Sequence, residues 1–289
     1  MEEKLDLTAI IITYNEEKNI GNCIKSIKRF VKDIFVLDSG SKDKTLKILK
    51  QNKIRYKINK FKNYSNQYNA AITLSKAKTE WLMRIDADEI VNQDFFKKLK
   101  LFIKKISDKT NGIAIKRRYF FLNKEIKYGG RFPHKTLRIW RNNSGKCDNV
   151  FMDEKIITKP KVEYLDIAVI DKNNKGFNEW KKKHEKYALW EAINYFKNFK
   201  KLKKNKNHIK KYKYYYSIPI FLRPFILFVY NFVFKLGFLD GHIGFKFCLW
   251  QTLWFRLTVD KNIYYLKRKH LTNNNILALI NKIDLKYAL

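Results

Sequence analysis

Two carboxylates two residues apart, Asp86 and Asp88, close the apolar run Trp81–Ile85 (WLMRI). At a strand end that spacing can hold a hard divalent cation that also takes diphosphate oxygens. Such an ion neutralises charge developing on a departing phosphate. An isolated D-x-D is a common acidic turn, so its weight comes from its neighbours. Thr13, Tyr14, Asn15 and Glu16 close a first apolar run, Leu7–Tyr14 (LTAIIITY), and Asp38, Ser39, Gly40, Ser41 and Asp43 follow a second, Ile34–Leu37 (IFVL). Open parallel sheets bind ligands beyond the carboxyl ends of their strands. Asp38 at such an edge would accept hydrogen bonds from the ribose or base of a nucleotide, or meet the adenosine ribose of a dehydrogenase cofactor. A dehydrogenase requires G-x-G-x-x-G after the first strand, and the turn here, Tyr14-Asn15-Glu16-Glu17-Lys18-Asn19, has no glycine. Backbone amides therefore cannot cradle the phosphates, and a metal must. The chain also lacks G-x-x-x-x-G-K-[ST], which excludes a P-loop ATPase.

Strand and helix patterns alternate through the first ninety residues. Asn19–Phe30 sets Ile20, Ile24 and Ile27 at helical spacing with lysines opposite. Ser41 or Asp43 can cap the next helix, whose apolar face is Leu46, Ile48 and Leu49. Ile54–Ile58 reads as a weaker strand, Tyr68–Ala77 as a helix and Trp81–Ile85 as a fourth strand. This alternation predicts βαβ units and a mostly parallel sheet, an α/β fold. Beyond it, Asp94–Ile106 reads as an amphipathic helix, and Gly112–Phe121 and Thr136–Trp140 as strands around the Gly129-Gly130 turn. A long helix is expected over Asn178–Phe199. The expected divisions are a catalytic domain at 1–170, a basic helical segment at 171–216 and an aromatic, apolar region at 217–289.

The 289 residues carry 62 basic and 27 acidic side chains, a net charge of +35. Such a field favours polyanions, either nucleic acid or an anionic membrane. Only eleven of the bases are arginine, so part of the excess reflects a lysine-rich composition. Fifteen lysines against three glutamates between Lys172 and Tyr216 nevertheless make a basic patch. The following run, Ile218–Leu239, is apolar and aromatic but broken by Arg223, Pro224, Asn231 and Lys235. A spanning helix needs about 20 mostly apolar residues. An interfacial or re-entrant helix pair fits better, with packing as buried core the rival. Cys23, Cys147 and Cys248 form no C-x-x-C, which excludes a zinc ribbon or disulfide scaffold and fits a reducing compartment. The acidic start, Met1-Glu2-Glu3-Lys4, does not read as a secretory signal.

Thr8–Glu16 (TAIIITYNE), Val36–Thr45 (VLDSGSKDKT), Asn69-Ala70-Ala71 and Trp81–Glu89 (WLMRIDADE) together resemble glycosyltransferase family 2, with its GT-A (Rossmann-like) fold. The resemblance is to the bacterial lipopolysaccharide-core branch, whose tail motif is similar to Phe221–Pro224 and Gly237–Gly244 (GFLDGHIG). It implies inverting transfer of a sugar from a nucleotide diphosphate sugar, usually UDP-linked, with Mg²⁺ or Mn²⁺. By similarity, Thr13, Tyr14 and Glu16 line the base and ribose pocket with Asp38 and Ser39, Asp86 meets the ribose or donor sugar, and Asp88, beside Asp86, ligates the metal. The family also needs a general base, for which Glu154 aligns. Asp153 stands where the branch has histidine, and is the second candidate. Arg131, His134 and Arg138 are candidates for diphosphate or acceptor contact. The acceptor implied is a lipopolysaccharide-core or other cell-surface glycan or lipid-linked molecule, met by a protein peripheral on the cytoplasmic face of an anionic membrane. No specific nucleic acid is expected.

Two other classes remain at this point. A basic nucleic-acid-binding protein would use Lys197–Tyr216, where lysine alternates with tyrosine, but leaves the acidic strand-end loops unexplained. A metal-dependent nucleotidyltransferase would share nucleotide and metal but release pyrophosphate.

Overall fold

The structure is a computed structural model that describes residues 3–130, 132–148, 154–201 and 214–268. The chain forms two compact units. One comprises residues 1–125 and 133–175, the other 126–132 and 176–289. Of the expected segments 171–216 and 217–289, residues 176–289 fall in the second unit and 171–175 in the first.

The first unit is built on a sheet of β1 (Leu5–Thr13), β2 (Val31–Asp38), β3 (Arg55–Ile58), β4 (Trp81–Arg84), β5 (Glu89–Ile90), β6 (Gly112–Phe121), β8 (His134–Arg141) and β11 (Val162–Asp171), with β7 (Lys124–Ile126) between β6 and β8 in the chain. The strand order is β3-β2-β1-β4-β8-β6-β11-β5. β3, β2, β1 and β4 are mutually parallel, β8 is antiparallel to β4 and β6, and β11 runs parallel to β6. The mixed α/β architecture with a parallel half agrees with the strand-helix alternation. A separate ribbon pairs β9 (Gly145–Cys147) with β10 (Ile156–Thr158).

β1 is apolar at nearly every position because it feeds two cores. Leu7, Ala9 and Ile11 pack with Ile20, Cys23, Ile24 and Ile27 of α1 (Ile20–Ile27). Ile10, on the opposite face, packs with Phe35, Leu37, Tyr68 and Trp140. Two of the helices begin where an asparagine side chain caps them. Asn63 accepts from the Asn66 amide at the start of α3 (Tyr64–Ser75), and Asn92 from Phe95 at the start of α4 (Gln93–Ile103). At α2 (Thr45–Gln51), Asp43 rather than Ser41 serves, accepting from the Thr45 amide and hydroxyl at 2.9 and 2.5 Å.

The second unit contains α5 (Phe177–Lys201), α6 (Leu222–Val229), a π-turn at Tyr230–Phe234, a 3₁₀ turn at Gly237–Asp240, α7 (Gly241–Phe247), a second π-turn at Cys248–Trp254, and α8 (Phe255–Arg268). Ala188, Ala192 and Tyr195 of α5 pack on Phe255, Val259, Ile263 and Leu266 of α8. Among the described residues no single helix is long and apolar enough to cross a membrane.

Candidate functional site

The parallel register sets Thr13 opposite Asp38 at the ends of β1 and β2, and Ile10 opposite Arg84 at the end of β4. The three strand-end loops therefore emerge together from one edge of the first unit. Two of them are laced to each other. The Asn15 amide donates to Ser41 Oγ at 2.7 Å, the Glu16 amide to Thr45 Oγ1 at 2.7 Å, and the Glu17 amide to Asp43 at 3.0 Å.

Asp38 holds this lacing from inside. Its Oδ2 accepts from the Thr13 and Ser41 hydroxyls at 2.8 and 2.6 Å, and its Oδ1 from the Gly40 and Ser41 amides at 2.8 and 2.7 Å. Gly40 makes the fold-back possible with a φ of +89°, a conformation that L side chains rarely adopt. A carboxylate has about four acceptor positions, and all are taken in a side chain that is fully buried. Asp38, expected to face a nucleoside, lies inside with Thr13 beside it and shapes the loop. Ser39 likewise turns inward, accepting from Gln67 Nε2 at 3.0 Å, whereas Tyr14 is 37% exposed at the edge. Glu16 accepts from Lys175 Nζ at 2.6 Å and Asn19 at 2.8 Å. Burial, with Asp88 acting in the same direction, pushes the Glu16 carboxyl up against the pull of Lys175.

The third loop contains the densest charge in the unit. Asp86 Oδ1 accepts from Tyr68 Oη and from Arg84 Nε at 3.2 Å, and its Oδ2 lies 3.4 Å from Arg138 and 3.9 Å from Arg117. Burial pushes this carboxyl up, but Arg84, Arg138 and Arg117 together hold it well below the ordinary range. Fully buried Glu89 pairs with Arg138 at 2.7 Å and Arg117 at 3.2 Å, and Arg117 reaches Asp171 at 2.8 Å. Burial leaves Glu89 with a raised pKa despite Arg138. Arg138, a candidate for diphosphate or acceptor contact, is 4% exposed; its NH2 group pairs with Glu89 and ties β8 to the loop after β4, while its buried NH1 group has no hydrogen-bond partner among the described residues. His134 opens β8 and is exposed.

Arg84 links this loop to the candidate base. Its guanidinium lies 4.0 Å over the Tyr68 ring and donates to Glu154 Oε1 at 2.8 Å. Glu154 lies in the chain between β9 and β10 and is mostly buried. Asp153 and Arg131 lie outside the described residues. Arg84, Tyr68, Arg117 and Asp171 were not singled out as site residues from sequence. The one visible signal was Arg84, a lone base inside an apolar strand, because the partners of the others lie far away along the chain.

No three His, Cys, Asp or Glu side chains gather as a metal cage among the described residues. A hard ion shared with a diphosphate does not need a cage, since one or two carboxylates suffice. Asp88 meets that requirement. It is half-buried, its Oδ2 accepts from Asn173 at 3.1 Å, and its Oδ1 has no protein hydrogen bond among the described residues. Asp86, the other expected ligand, already accepts from Tyr68 and Arg84 and lies beside Arg138.

A family model described as glycosyl transferase family 2 matches residues 8–152. The lipopolysaccharide core biosynthesis glycosyltransferase LpsC of Rhizobium meliloti is 29% identical over 153 residues, 51% of this chain and 55% of that protein. The chain thus spans about half the length of this relative. Among solved structures, S. aureus TarS 1-349 in complex with UDP-GlcNAc is 13% identical, covering 91% of this chain and 92% of that one with a TM-score of 0.43. Glucosyl-3-phosphoglycerate synthase from Mycobacterium tuberculosis, in complex with Mn²⁺, UDP and glucosyl-3-phosphoglycerate, is 20% identical, with 39% and 44% coverage and a TM-score of 0.33.

Proposed function

The chain belongs to glycosyl transferase family 2, and from that premise we propose that it moves a sugar, with inversion, from a UDP-linked donor to a hydroxyl of a lipopolysaccharide-core, other cell-surface or lipid-linked glycan. The observation that carries the reading is the chain of ion pairs from Asp86 through Arg84 to Glu154, at 3.2 and 2.8 Å. It ties the acidic strand end, where a donor diphosphate belongs, to the carboxylate proposed as base.

Inversion is one in-line displacement. The acceptor oxygen forms a bond to the anomeric carbon as the bond from that carbon to the diphosphate oxygen breaks, and the acceptor proton passes to Glu154. A base must lie within about 2.6–3.2 Å of that hydroxyl. Arg84 holds the Glu154 carboxylate in place, so its second oxygen is the one offered to the acceptor. Asp153 is the alternative base. Asp88 would hold Mg²⁺ or Mn²⁺ together with the diphosphate, and the ion would supply charge neutralisation on the leaving group. Tyr14 and Glu16 border the nucleoside, and Asp38, Thr13 and Ser39 keep their loops in shape. The resemblance to LpsC supports an envelope glycan as acceptor, and the net charge of +35 supports a place on the inner face of an anionic cytoplasmic membrane.

A panel of nucleotide sugars with Mn²⁺, read by thermal stabilisation, tests this reading. A ligand bound only by the folded state raises stability with concentration, by about 2.7 kcal/mol at a hundred times its Kd. One UDP-sugar raising the melting temperature in a metal-dependent way is the expected result. No stabilisation by any nucleotide sugar would sink the proposal.

A further inference from the structure

The helix pair of the second unit has its polarity reversed. Along α6 and the π-turn after it, Leu222, Phe225, Ile226, Val229, Tyr230, Val233 and Phe234 are exposed. Their spacing of three and four residues makes one continuous helical stripe. Phe234 reaches 71% exposure, and the stripe continues round the bend through Leu236, Phe238 and Leu239. Lys235 is exposed at the bend, but the other polar residues point the other way. Arg223 is buried against Asp260, with its Nε 2.9 Å from Oδ1, and Asn231 donates to Thr252 Oγ1 at 3.2 Å. Asp240 is buried and accepts from the Lys127 and Tyr128 amides at 3.0 and 2.9 Å.

In water a surface helix buries its apolar stripe. Polar groups satisfied inside with hydrocarbon outside is the arrangement favoured against lipid, where each unsatisfied polar group costs several kcal/mol. We propose that Leu222–Leu239 is a wedge that enters one leaflet of an anionic bilayer without crossing it. Leu222–Phe234 is about 20 Å long at 1.5 Å per residue, short of the roughly 30 Å hydrocarbon thickness. It meets Gly237–Arg268 at a bend of 71°.

The GFLDGHIG motif builds that bend. A Cβ on Gly244 would stand 2.3 Å from the Gly237 carbonyl oxygen, and one on Gly237 2.9 Å from both the Asn231 oxygen and Cys248 Sγ. Only glycines allow the segments to approach this closely, so the wedge has a fixed shape. Charge selects its occupant. From Gly176 to Leu289 there are twenty-three Lys and Arg against six Asp and Glu. A second copy of the chain would bring like charge to like, whereas anionic headgroups are complementary.

The test uses the full chain and vesicles of phosphatidylcholine with or without phosphatidylglycerol, read by sedimentation. The wild-type chain is expected to bind the anionic vesicles, more weakly at high salt. The triple variant Phe225→Gln, Val229→Gln, Phe234→Gln changes only exposed side chains, so its circular dichroism and melting temperature should match wild type while vesicle affinity falls by about tenfold or more. Equal binding by the triple variant would overturn the wedge. So would a lipid-free dimer that the triple variant abolishes, which would assign the stripe to a second copy. An environment-sensitive dye on Phe234→Cys should shift to the blue when anionic vesicles are added, and no shift would place the tip outside the bilayer and contradict the proposal. The wedge stands independently of the sugar-transfer reading, because stabilisation by a nucleotide sugar is read without lipid.

Discussion

Arg84 carries two carboxylates at once: its Nε lies 3.2 Å from Asp86 and its NH2 group 2.8 Å from Glu154. The side chain is 12% exposed and Glu154 11%, so neither charge can turn to water if the other is removed. Replacing Arg84 with Met should cost roughly 3–5 kcal/mol of stability, the range for breaking a buried pair by removing one partner. Arg84→Lys keeps the charge but loses the fork. It should recover most of the stability and only part of the turnover, with donor Kd nearly unchanged. Chemical denaturation and steady-state kinetics on the two variants check this. Equal kcat in Arg84→Lys and wild type would remove Arg84 from the positioning of the base.

Asp38→Asn separates a loop-shaping role from a ligand-contacting one. Four donors converge on the carboxylate, and an amide in its place would point two N–H groups at some of them. Hydrogen bonds to a charged group contribute about 1.5–3 kcal/mol each. The expected outcome is a melting temperature several degrees lower, together with weaker donor binding. Weaker donor binding at an unchanged melting temperature would instead put Asp38 in direct contact with the nucleoside.

The strand ends were legible in the sequence because an apolar run followed by acid is a local pattern. Leu5–Thr13, Val31–Asp38 and Trp81–Arg84 are strands, and Asp38, Asp86 and Asp88 lie at one edge of the sheet. What those acids do was less legible. Asp38 is consumed by partners two or three residues away plus Thr13, a turn geometry that depends on the φ of Gly40. Asp86 is consumed by Arg117 and Arg138, thirty and more residues later on β6 and β8, and only the strand order β4-β8-β6 brings them together. The tail shows the same limit. Its apolar composition was plain, but which side of Leu222–Phe234 faces inward depends on Asp260 and Thr252, which lie beyond the bend.

Asp88→Asn should leave the fold intact, since the side chain is half-buried with one hydrogen bond to Asn173. Surface substitutions of this kind change stability by about 0.5 kcal/mol or less. Metal-dependent donor affinity should fall by tenfold or more, about 1.4 kcal/mol. Calorimetric titration of a UDP-sugar with and without Mn²⁺ measures both. Undiminished metal-dependent binding would move the ion elsewhere.

Asp43 gives the pH dependence a definite sign. Burial raises its pKa, but hydrogen bonds from Thr45 and the Glu17 amide outweigh this and leave it below the ordinary aspartate value. A carboxyl depressed in the folded state contributes stability that is present above its unfolded pKa and lost as pH falls through the folded one. The wild-type chain should therefore lose stability more steeply than Asp43→Asn on acidification below about pH 3.8. Parallel acid-unfolding curves for the two would contradict the depressed pKa.

The central claim is a displacement at the anomeric carbon with Glu154 as base, and phosphorus NMR of the reaction products tests it most directly. With a UDP-sugar, Mn²⁺ and an envelope glycan acceptor, wild type should release UDP. Glu154→Gln should still bind donor but release UDP about 10²–10⁴-fold more slowly, the range that general base catalysis contributes. Pyrophosphate as the product would make the protein a nucleotidyltransferase, and undiminished UDP release by Glu154→Gln would contradict the assignment of the base.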